Sequence, residues 1–170
     1  MSIDGEDPIE IVDYDPTWPS AFVDARAELE AALGPCLVDI EHIGSTAVPG
    51  LAAKPVIDIL VGLRSLDDTP IVVPAIEGLG YQYVPEFEVE LPDRRYFRRY
   101  TNGLRTHQVH AVARTDHAWW DRHVAFRDRL RAHDEDRDAY ADLKRRLAVE
   151  HRDDRAAYTD AKSAFIHARQ

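Results

Sequence analysis

The stretch HIGSTAVPGLAAKPVIDILV, residues 42–61, decides the fold of this chain. Its last part, Val56–Val61, is a largely apolar run that predicts a buried β-strand, and the alternation in Leu37–Ile43 predicts a second strand before it. Gly44 and Ser45 follow the end of that earlier strand. Because glycine lets the backbone approach a ligand and serine offers a small hydroxyl donor, this junction predicts a phosphate-binding turn.

Three polar residues of the same stretch extend this prediction. Thr46 begins the next short segment, where free backbone N–H groups favour an anion. Lys54 precedes the buried strand, and its point charge would suit a phosphate oxygen. Asp58 lies inside the apolar run, where a carboxylate is costly unless it is paired or metal-bound. Asp58 is therefore either a functional acid or a structural one that caps a helix or pairs with a buried arginine.

Length and composition set the class of protein. The 170 residues are 45% apolar, so we predict a single domain over residues 1–170 with a loose acidic leader at 1–8. Cys36 is the only cysteine, which excludes an intramolecular disulfide and indicates a reducing compartment. The sequence shows neither a signal-peptide pattern nor an apolar run of membrane-spanning length. These features predict a cytoplasmic protein without a membrane partner.

The charge balance bears on the partner. The net charge is −10, which makes nucleic acid an unlikely partner because its binding would need a broad basic face. Among the 21 basic residues, only Lys54, Lys144 and Lys162 are lysines. A local basic pocket remains compatible with an acidic surface, so we expect a nucleotide or another phosphorylated small molecule as the partner. The sequence does not define the oligomeric state.

Strand and helix patterns predict the fold class. Strands are predicted at Leu37–Ile43, Val56–Val61, Tyr81–Val84, Arg95–Thr101 and Leu104–Ala113, and Ile9–Tyr14 is predicted as a short strand or an extended arm. Helices are predicted at about Pro19–Leu33, Pro70–Leu79, Ala118–Arg131, Asp136–His151 and Asp153–Ala168. We therefore predict an α+β fold, α/β-like in its layers, with a mixed sheet of about four or five strands, flanking helices and a helical tail over residues 116–170.

The spacing inside the opening stretch resembles a superfamily pattern. Gly44-Ser45, twelve residues and then Asp58-Ile59-Leu60-Val61 resemble the nucleotidyltransferase pattern of a hydrophobic-Gly-Ser turn followed by a strand with paired acids. Residues 42–61 closely resemble the signature of the GrpB-like family of that superfamily. Other blocks that are similar to this family are Val12–Pro16, Arg94–Arg99, Arg105–His110, Phe126–Arg131, Tyr140–Lys144 and Tyr158–Ile166. The resemblance implies a nucleotidyltransferase-type fold in which strand carboxylates hold two Mg²⁺ ions and the Gly-Ser turn grips a triphosphate.

One departure from that pattern concerns the metal. The second carboxylate should lie two residues from Asp58 on the same strand face, but position 60 is leucine, and in the other register Val56 replaces the first acid. Asp58 alone could hold one Mg²⁺, because this ion keeps several waters and often uses one or two carboxylates. A two-metal clamp would need another ligand. His110 is the best candidate, with His42 as a further one, and imidazole would favour Mn²⁺ or another transition-metal ion over Mg²⁺.

Arg95, Arg98, His107 and His110 complete the predicted site. An arginine fork can bind phosphate bidentately, so Arg95 and Arg98 are candidate substrate-binding residues. Strand alternation places Arg95 and Arg98 on opposite faces, and it separates His107 from His110 in the same way. In the alternative interpretation, the arginines pair with acidic residues on an edge strand, and the histidines hydrogen-bond phosphate or backbone groups.

Two functions follow from these residues. The first is metal-dependent transfer of a nucleotidyl group from a nucleoside triphosphate to a small acceptor, in which Ser45, Thr46 and Lys54 hold the triphosphate and Asp58 binds the metal. The second is a non-catalytic nucleotide- or phosphate-binding module with an accessory or regulatory role, as the family resemblance implies for fusions to dephospho-CoA kinases. Leu60 favours the second function, whereas Lys54 and Asp58 favour some ligand chemistry. A hydrolase or another transferase built on Asp58 and the histidines is a third alternative.

Overall fold

The computed structural model describes residues 8–170 of the chain, so the predicted acidic leader lies outside the described residues except for Pro8. Within these residues, the five α-helices are α1 (Trp18–Leu33), α2 (Thr69–Glu77), α3 (His117–Ala132), α4 (Asp134–Glu150) and α5 (Arg155–His167). The five strands of the same range are β1 (Leu37–Ile43), β2 (Ile57–Leu63), β3 (Gln82–Tyr83), β4 (Arg94–Thr101) and β5 (Leu104–Ala113).

The strands form one open sheet in the order β1-β2-β5-β4-β3. Strand β2 pairs antiparallel with β1 and parallel with β5, and β5 pairs antiparallel with β4. The parallel pair requires a long crossover, which α2, β3 and β4 supply between β2 and β5. The predicted α+β class, the mixed sheet and the helical tail are confirmed.

One face of the sheet is covered by α1 and α2. Apolar residues of β2 and β5, such as Ile59 and Val109, pack there against Leu29 of α1 and Ile76 of α2 in the largest buried cluster. Alternate residues of a strand point to opposite faces, so this face takes every second residue of β2. The burial of these side chains removes the two helices' apolar stripes from water and fixes the register of the sheet.

The helical tail packs on the other face. Leu60 of β2 and Val112 of β5 contact Trp120 of α3 in a second buried cluster. Helices α3 and α4 pack on the loop between β1 and β2, where Leu51 joins a cluster with Leu130. This arrangement places the β1–β2 loop between the sheet and the tail.

Several element boundaries differ from the prediction. Strand β2 begins at Ile57 because the amide of Val56 donates to the carbonyl of Lys54, 2.8 Å away, and so lies in a tight turn. Residues 9–14 contribute one antiparallel bridge, from Val12 to Ala53, and form an extended arm. Helix α4 begins at Asp134, where three consecutive acidic residues complement the helix dipole. In the described range, no helix is both long enough and apolar enough to cross a membrane.

Candidate functional site

Gly44 brings the β1–β2 turn against the side chain of Asp58. Its backbone has φ 71° and ψ −173°, a conformation that is open almost only to glycine. A Cβ atom at this position would lie 2.6 Å from Oδ2 of Asp58. Ile43, the last residue of β1, is paired with Asp58 in the sheet register. Glycine is therefore required here both for the backbone angle and for the close approach of the carboxylate.

Ser45 is bound to a lysine from the helical tail. Nζ of Lys144 in α4 donates to Oγ of Ser45 over 2.8 Å and also donates to the carbonyl oxygen of Ala52. Lys144 is buried, and desolvation together with the nearby positive charges of Lys162 and Lys54 lowers its pKa well below the usual value. This amine therefore fixes both ends of the β1–β2 loop while remaining at the cavity that the loop borders.

Thr46 supports the loop from inside. Its hydroxyl donates to the carbonyl oxygen of Val56 over 3.2 Å, so the 2.9 Å contact with His42 is a hydrogen bond donated by Nε2 of the imidazole. The His42 ring stacks on Phe22 of α1, and burial lowers the pKa of His42 to about 4. These two hydrogen bonds commit the Thr46 hydroxyl to protein partners, while Thr46 still lines the cavity that contains Asp58.

The three lysines of the chain line one cavity. This space, which we call the lysine cavity, has a volume of about 380 Å³ and lies between the β1–β2 loop, the sheet and helices α3 to α5. It is lined by Lys54, Lys144 and Lys162, which are the only lysines in the sequence. Asp58 is the one acidic side chain among the described lining residues. The cavity is also lined by Gly44, Ser45, Thr46, His110, Phe126, Tyr140 and Tyr158.

Tyr158 lies beside two of these lysines. Nζ of Lys162 lies 4.3 Å from the centre of the Tyr158 ring, and Nζ of Lys54 lies 5.6 Å from it. The whole side chain of Tyr158 is buried, and its hydroxyl has no hydrogen-bond partner within the described part of the chain. Burial raises the pKa of Tyr158 to about 12. A buried hydroxyl of this kind costs roughly 1–3 kcal/mol, which a ligand group could recover by bonding to it.

Asp58 and His110 are neighbours, as the metal prediction requires, but their partners do not fit a metal site. Oδ1 of Asp58 lies 3.5 Å from Nε2 of His110, whereas NH1 of Arg94 lies 3.1 Å from Nδ1. A guanidinium can only donate, so Nδ1 accepts and Nε2 carries the proton that faces Asp58. A metal at Nε2 would displace that proton and the Arg94 contact. No group of three or more His, Cys, Asp or Glu residues within positions 8–170 could hold a metal ion.

Two predicted binding residues lie on the other side of the sheet. Arg95 donates to Oγ1 of Thr69 over 3.1 Å and pairs with Glu88, while His107 lies beside Arg99 and Tyr81. Arg98 is on the same face as Asp58, but its guanidinium lies over the Phe87 and Tyr96 rings, 5.2 and 5.3 Å from their centres, and it does not line the cavity. The structure therefore brings together the predicted residues Gly44, Ser45, Thr46, Lys54, Asp58 and His110, and it leaves Arg95, Arg98 and His107 apart from them.

Sequence reasoning missed the contribution of the tail. Lys144, Lys162, Tyr140 and Tyr158 line the cavity, although no site residue was predicted in the tail. The available signal was the scarcity of lysine in a chain whose other 18 basic residues are arginines, 21 in all. Because all three of these rare lysines meet at one cavity, we infer that they have a chemical role there.

The chain matches a known family along its described length. The family described as "GrpB protein" matches residues 8–170. The "UPF0157 protein PA4798" of Pseudomonas aeruginosa is 41% identical over 95% of this chain and 66% of its own length. The "UPF0157 protein YqkA" of Bacillus subtilis is 37% identical over 93% of this chain and 45% of its own length. The chain thus spans less than two thirds of these two relatives.

A solved structure shares the fold. The crystal structure of the conserved protein GrpB from Enterococcus faecalis superposes with a TM-score of 0.85 at 36% identity, covering 94% of this chain and 93% of that one. A partial match joins 52% of this chain to 23% of a dephospho-CoA kinase from Mycolicibacterium paratuberculosis, at 34% identity. The chain belongs to the GrpB family.

Proposed function

We propose that this protein binds a phosphorylated small molecule of the nucleotide class, with the phosphate groups in the lysine cavity. One observation carries the proposal: all three lysines of a chain with net charge −10 line one cavity, and Asp58 is the one acidic side chain among its described lining residues. An acidic protein has no general attraction for anions, so the gathering of three amines, which a bound anion would favour in their protonated form, indicates a specific anionic ligand. Charges that are partly withdrawn from water also act more strongly on such a ligand.

The surroundings of the cavity suit a nucleotide. Ser45 is positioned by Lys144 beside the Gly44 turn, which provides polar groups at the end where the lysines meet. Phe126 contributes an aromatic wall to the same cavity, on which a base could stack. A volume of about 380 Å³ lies within the range of small-molecule sites.

Asp58 has a role in this proposal that needs no metal. Its negative charge raises the pKa values of Lys144 and Lys162 against the larger lowering effect of burial. Asp58 thus reduces the repulsion among the lysines before the ligand arrives. The partial match to a dephospho-CoA kinase is compatible with an accessory binding role.

Nucleotidyl transfer is the second candidate, and one observation favours it. The Asp58 carboxylate lies directly against the Gly44 turn, as the resemblance to the nucleotidyltransferase pattern implies. Leu60 and the Arg94 contact of His110 oppose it, because they leave Asp58 without a second acidic or imidazole ligand. Mg²⁺ or Mn²⁺ dependence is therefore the property that separates the two candidates.

The test is a thermal-shift and calorimetric series with phosphate, pyrophosphate, ADP and ATP, each in EDTA, Mg²⁺ and Mn²⁺. We expect the wild type to bind pyrophosphate or a nucleotide in EDTA, and Lys54→Gln to weaken binding at least tenfold. Arg146→Gln is the matched control, because Arg146 is an exposed basic residue of α4 outside the cavity. If no phosphorylated compound binds, or if Arg146→Gln weakens binding as much as Lys54→Gln, the proposal is wrong.

Asp58→Asn separates the two candidates most sharply. The amide keeps the size of the carboxylate beside Gly44 but removes the negative charge from the cavity. If the lysines hold the anion without a metal, Asp58→Asn should tighten binding in EDTA severalfold. If a metal held by Asp58 is required, binding should appear only with Mg²⁺ or Mn²⁺ and disappear in the variant.

A further inference from the structure

Lys162 differs from Lys144 in its bonding. Nζ of Lys144 donates two hydrogen bonds, to Ser45 and to the carbonyl oxygen of Ala52. Nζ of Lys162 has no hydrogen bond or ion pair within residues 8–170, and its close contact is the face of the Tyr158 ring. The amine is held at the wall of the cavity without being committed to a protein acceptor.

The electrostatic surroundings favour the neutral form of Lys162. Burial, followed by the charge of Lys54, lowers the pKa of Lys162 to about 7, while Asp58 of β2 opposes this shift and Arg155 of α5 adds to it. The other titratable side chains that line this cavity are Lys144 and Tyr140 of α4, Tyr158 of α5, His123 of α3 and His110 of β5. Near neutral pH, a large fraction of the Lys162 amines therefore carries a free electron pair, which an ordinary lysine does not.

We propose that Nζ of Lys162 is a nucleophile that forms a reversible imine with a phosphorylated aldehyde or ketone bound in the lysine cavity. This inference rests on the proposed function, because Lys54 and the Gly44-Ser45 turn would hold the phosphate of that ligand. A lysine that is desolvated and lies beside another cation is a recognised form of activated amine. The chemistry names a ligand class, a phosphorylated carbonyl compound, that phosphate binding alone does not define.

The step is balanced without another reactant. The nitrogen electron pair attacks the carbonyl carbon, the C=O π pair moves to oxygen, and a proton passes from nitrogen to that oxygen to give a carbinolamine. Loss of the hydroxyl group with the remaining nitrogen proton releases one water and forms the C=N bond. Nothing is oxidised or reduced, and hydrolysis of the imine returns the free amine.

The test uses pyridoxal 5′-phosphate as the probe and borohydride to reduce any imine to a stable secondary amine. The chain has three lysines and its α-amino group, so peptide mass mapping assigns the label without ambiguity. We expect the label at Lys162, with a rate that is half-maximal near pH 7 because it follows the neutral amine. Lys162→Arg should lose the label, since a guanidinium keeps the charge but is not a nucleophile.

Further arms separate failure of the inference from failure of the proposed function. The proposal predicts that pyrophosphate suppresses labelling and that 5-deoxypyridoxal, which lacks the phosphate, reacts at least tenfold more slowly. Labelling mainly at Lys54, Lys144 or the α-amino group would overturn the inference, and so would absence of label while pyrophosphate still raises the melting temperature. Equal labelling of Lys162 by both aldehydes, with no effect of pyrophosphate, would instead overturn phosphate binding. If Lys162→Arg does not fold, peptide mass mapping of the labelled wild-type protein still tests the inference.

Discussion

At the scale of single residues, the site depends on the absence of a side chain at Gly44. Gly44 has a positive φ angle, and a Cβ atom on it would lie 2.6 Å from Oδ2 of Asp58. The turn therefore packs directly against the acid of β2. The same turn carries Ser45, whose hydroxyl accepts a hydrogen bond from Lys144. A change at Gly44 therefore disturbs Asp58 and the lysine cavity together.

Gly44→Ala should destabilise the protein by roughly 1–3 kcal/mol, because the new Cβ adds a clash to backbone strain. Gly80→Ala is the matched control, since Gly80 also has a positive φ (86°) but has no atom within 4 Å of a built Cβ. Chemical denaturation should show a larger loss for Gly44→Ala, accompanied by weaker pyrophosphate binding. An equal loss in both variants would show that the Asp58 contact contributes nothing.

His42 provides a second prediction at this scale. Burial lowers the pKa of His42 to about 4 from an ordinary 6.5, so between these values the unfolded chain binds a proton that the folded chain does not. The stability from His42 is therefore fully present above pH 6.5 and is lost as the pH falls toward 4, with a slope of at most about 1.4 kcal/mol per pH unit.

Denaturation curves between pH 4 and 7 check this prediction. His42→Gln should flatten the decline in the free energy of unfolding, because one of the groups responsible has been removed. His117→Gln, at an exposed histidine of α3, should leave the slope unchanged. An unchanged slope in His42→Gln would contradict the assigned cause.

At the scale of elements, helices α4 and α5 form part of the wall of the lysine cavity. They supply Lys144, Lys162, Tyr140 and Tyr158, which line the cavity together with Gly44 and Ser45 of the β1–β2 loop. Tyr158 also joins Ile9 and Leu147 in a small buried cluster, so α5 is anchored by a residue that also lines the cavity beside two lysines.

Tyr158→Phe tests the role of the ring's hydroxyl. The hydroxyl is buried without a partner, so its removal should raise the free energy of unfolding by about 1 kcal/mol. Tyr81→Phe is the matched control, because the Tyr81 hydroxyl is also buried and unpartnered but lies on the α1 and α2 side of the sheet. Both variants should gain stability, and only Tyr158→Phe should weaken pyrophosphate binding. Equal binding by both variants would exclude a ligand contact for this hydroxyl.

The elements also show how far the sequence could predict the site. Gly44 and Asp58 lie fourteen positions apart and meet through one short antiparallel pair, so a local pattern was sufficient to place them together. Lys144 is 99 positions from Ser45, and its place depends on how the tail docks. The tail docks through apolar side chains that pack on the β1–β2 loop. An apolar pattern in the sequence does not indicate which polar residues this docking brings into the site. The strand alternation, by contrast, separated His107 from His110 correctly, because it depends on local geometry alone.

At the scale of the whole molecule, charge is divided between surface and interior. The chain carries a net charge of −10, yet its lysines are gathered in one cavity under the tail. The cost of holding these amines together is reduced by lowered pKa values at Lys144 and Lys162 and by the one carboxylate of Asp58. If the protein binds an anion as proposed, the bound anion should stabilise it more at low than at high salt.

The most direct test is a crystal structure of the protein bound to pyrophosphate or ADP in the presence of EDTA. We predict phosphate groups in the lysine cavity beside the Gly44-Ser45 turn, with phosphate oxygens within hydrogen-bond distance of Nζ of at least two of Lys54, Lys144 and Lys162. A phosphate bound instead at Arg95 and His107 on the opposite sheet face, or one that binds only through a metal at Asp58, would contradict the proposal.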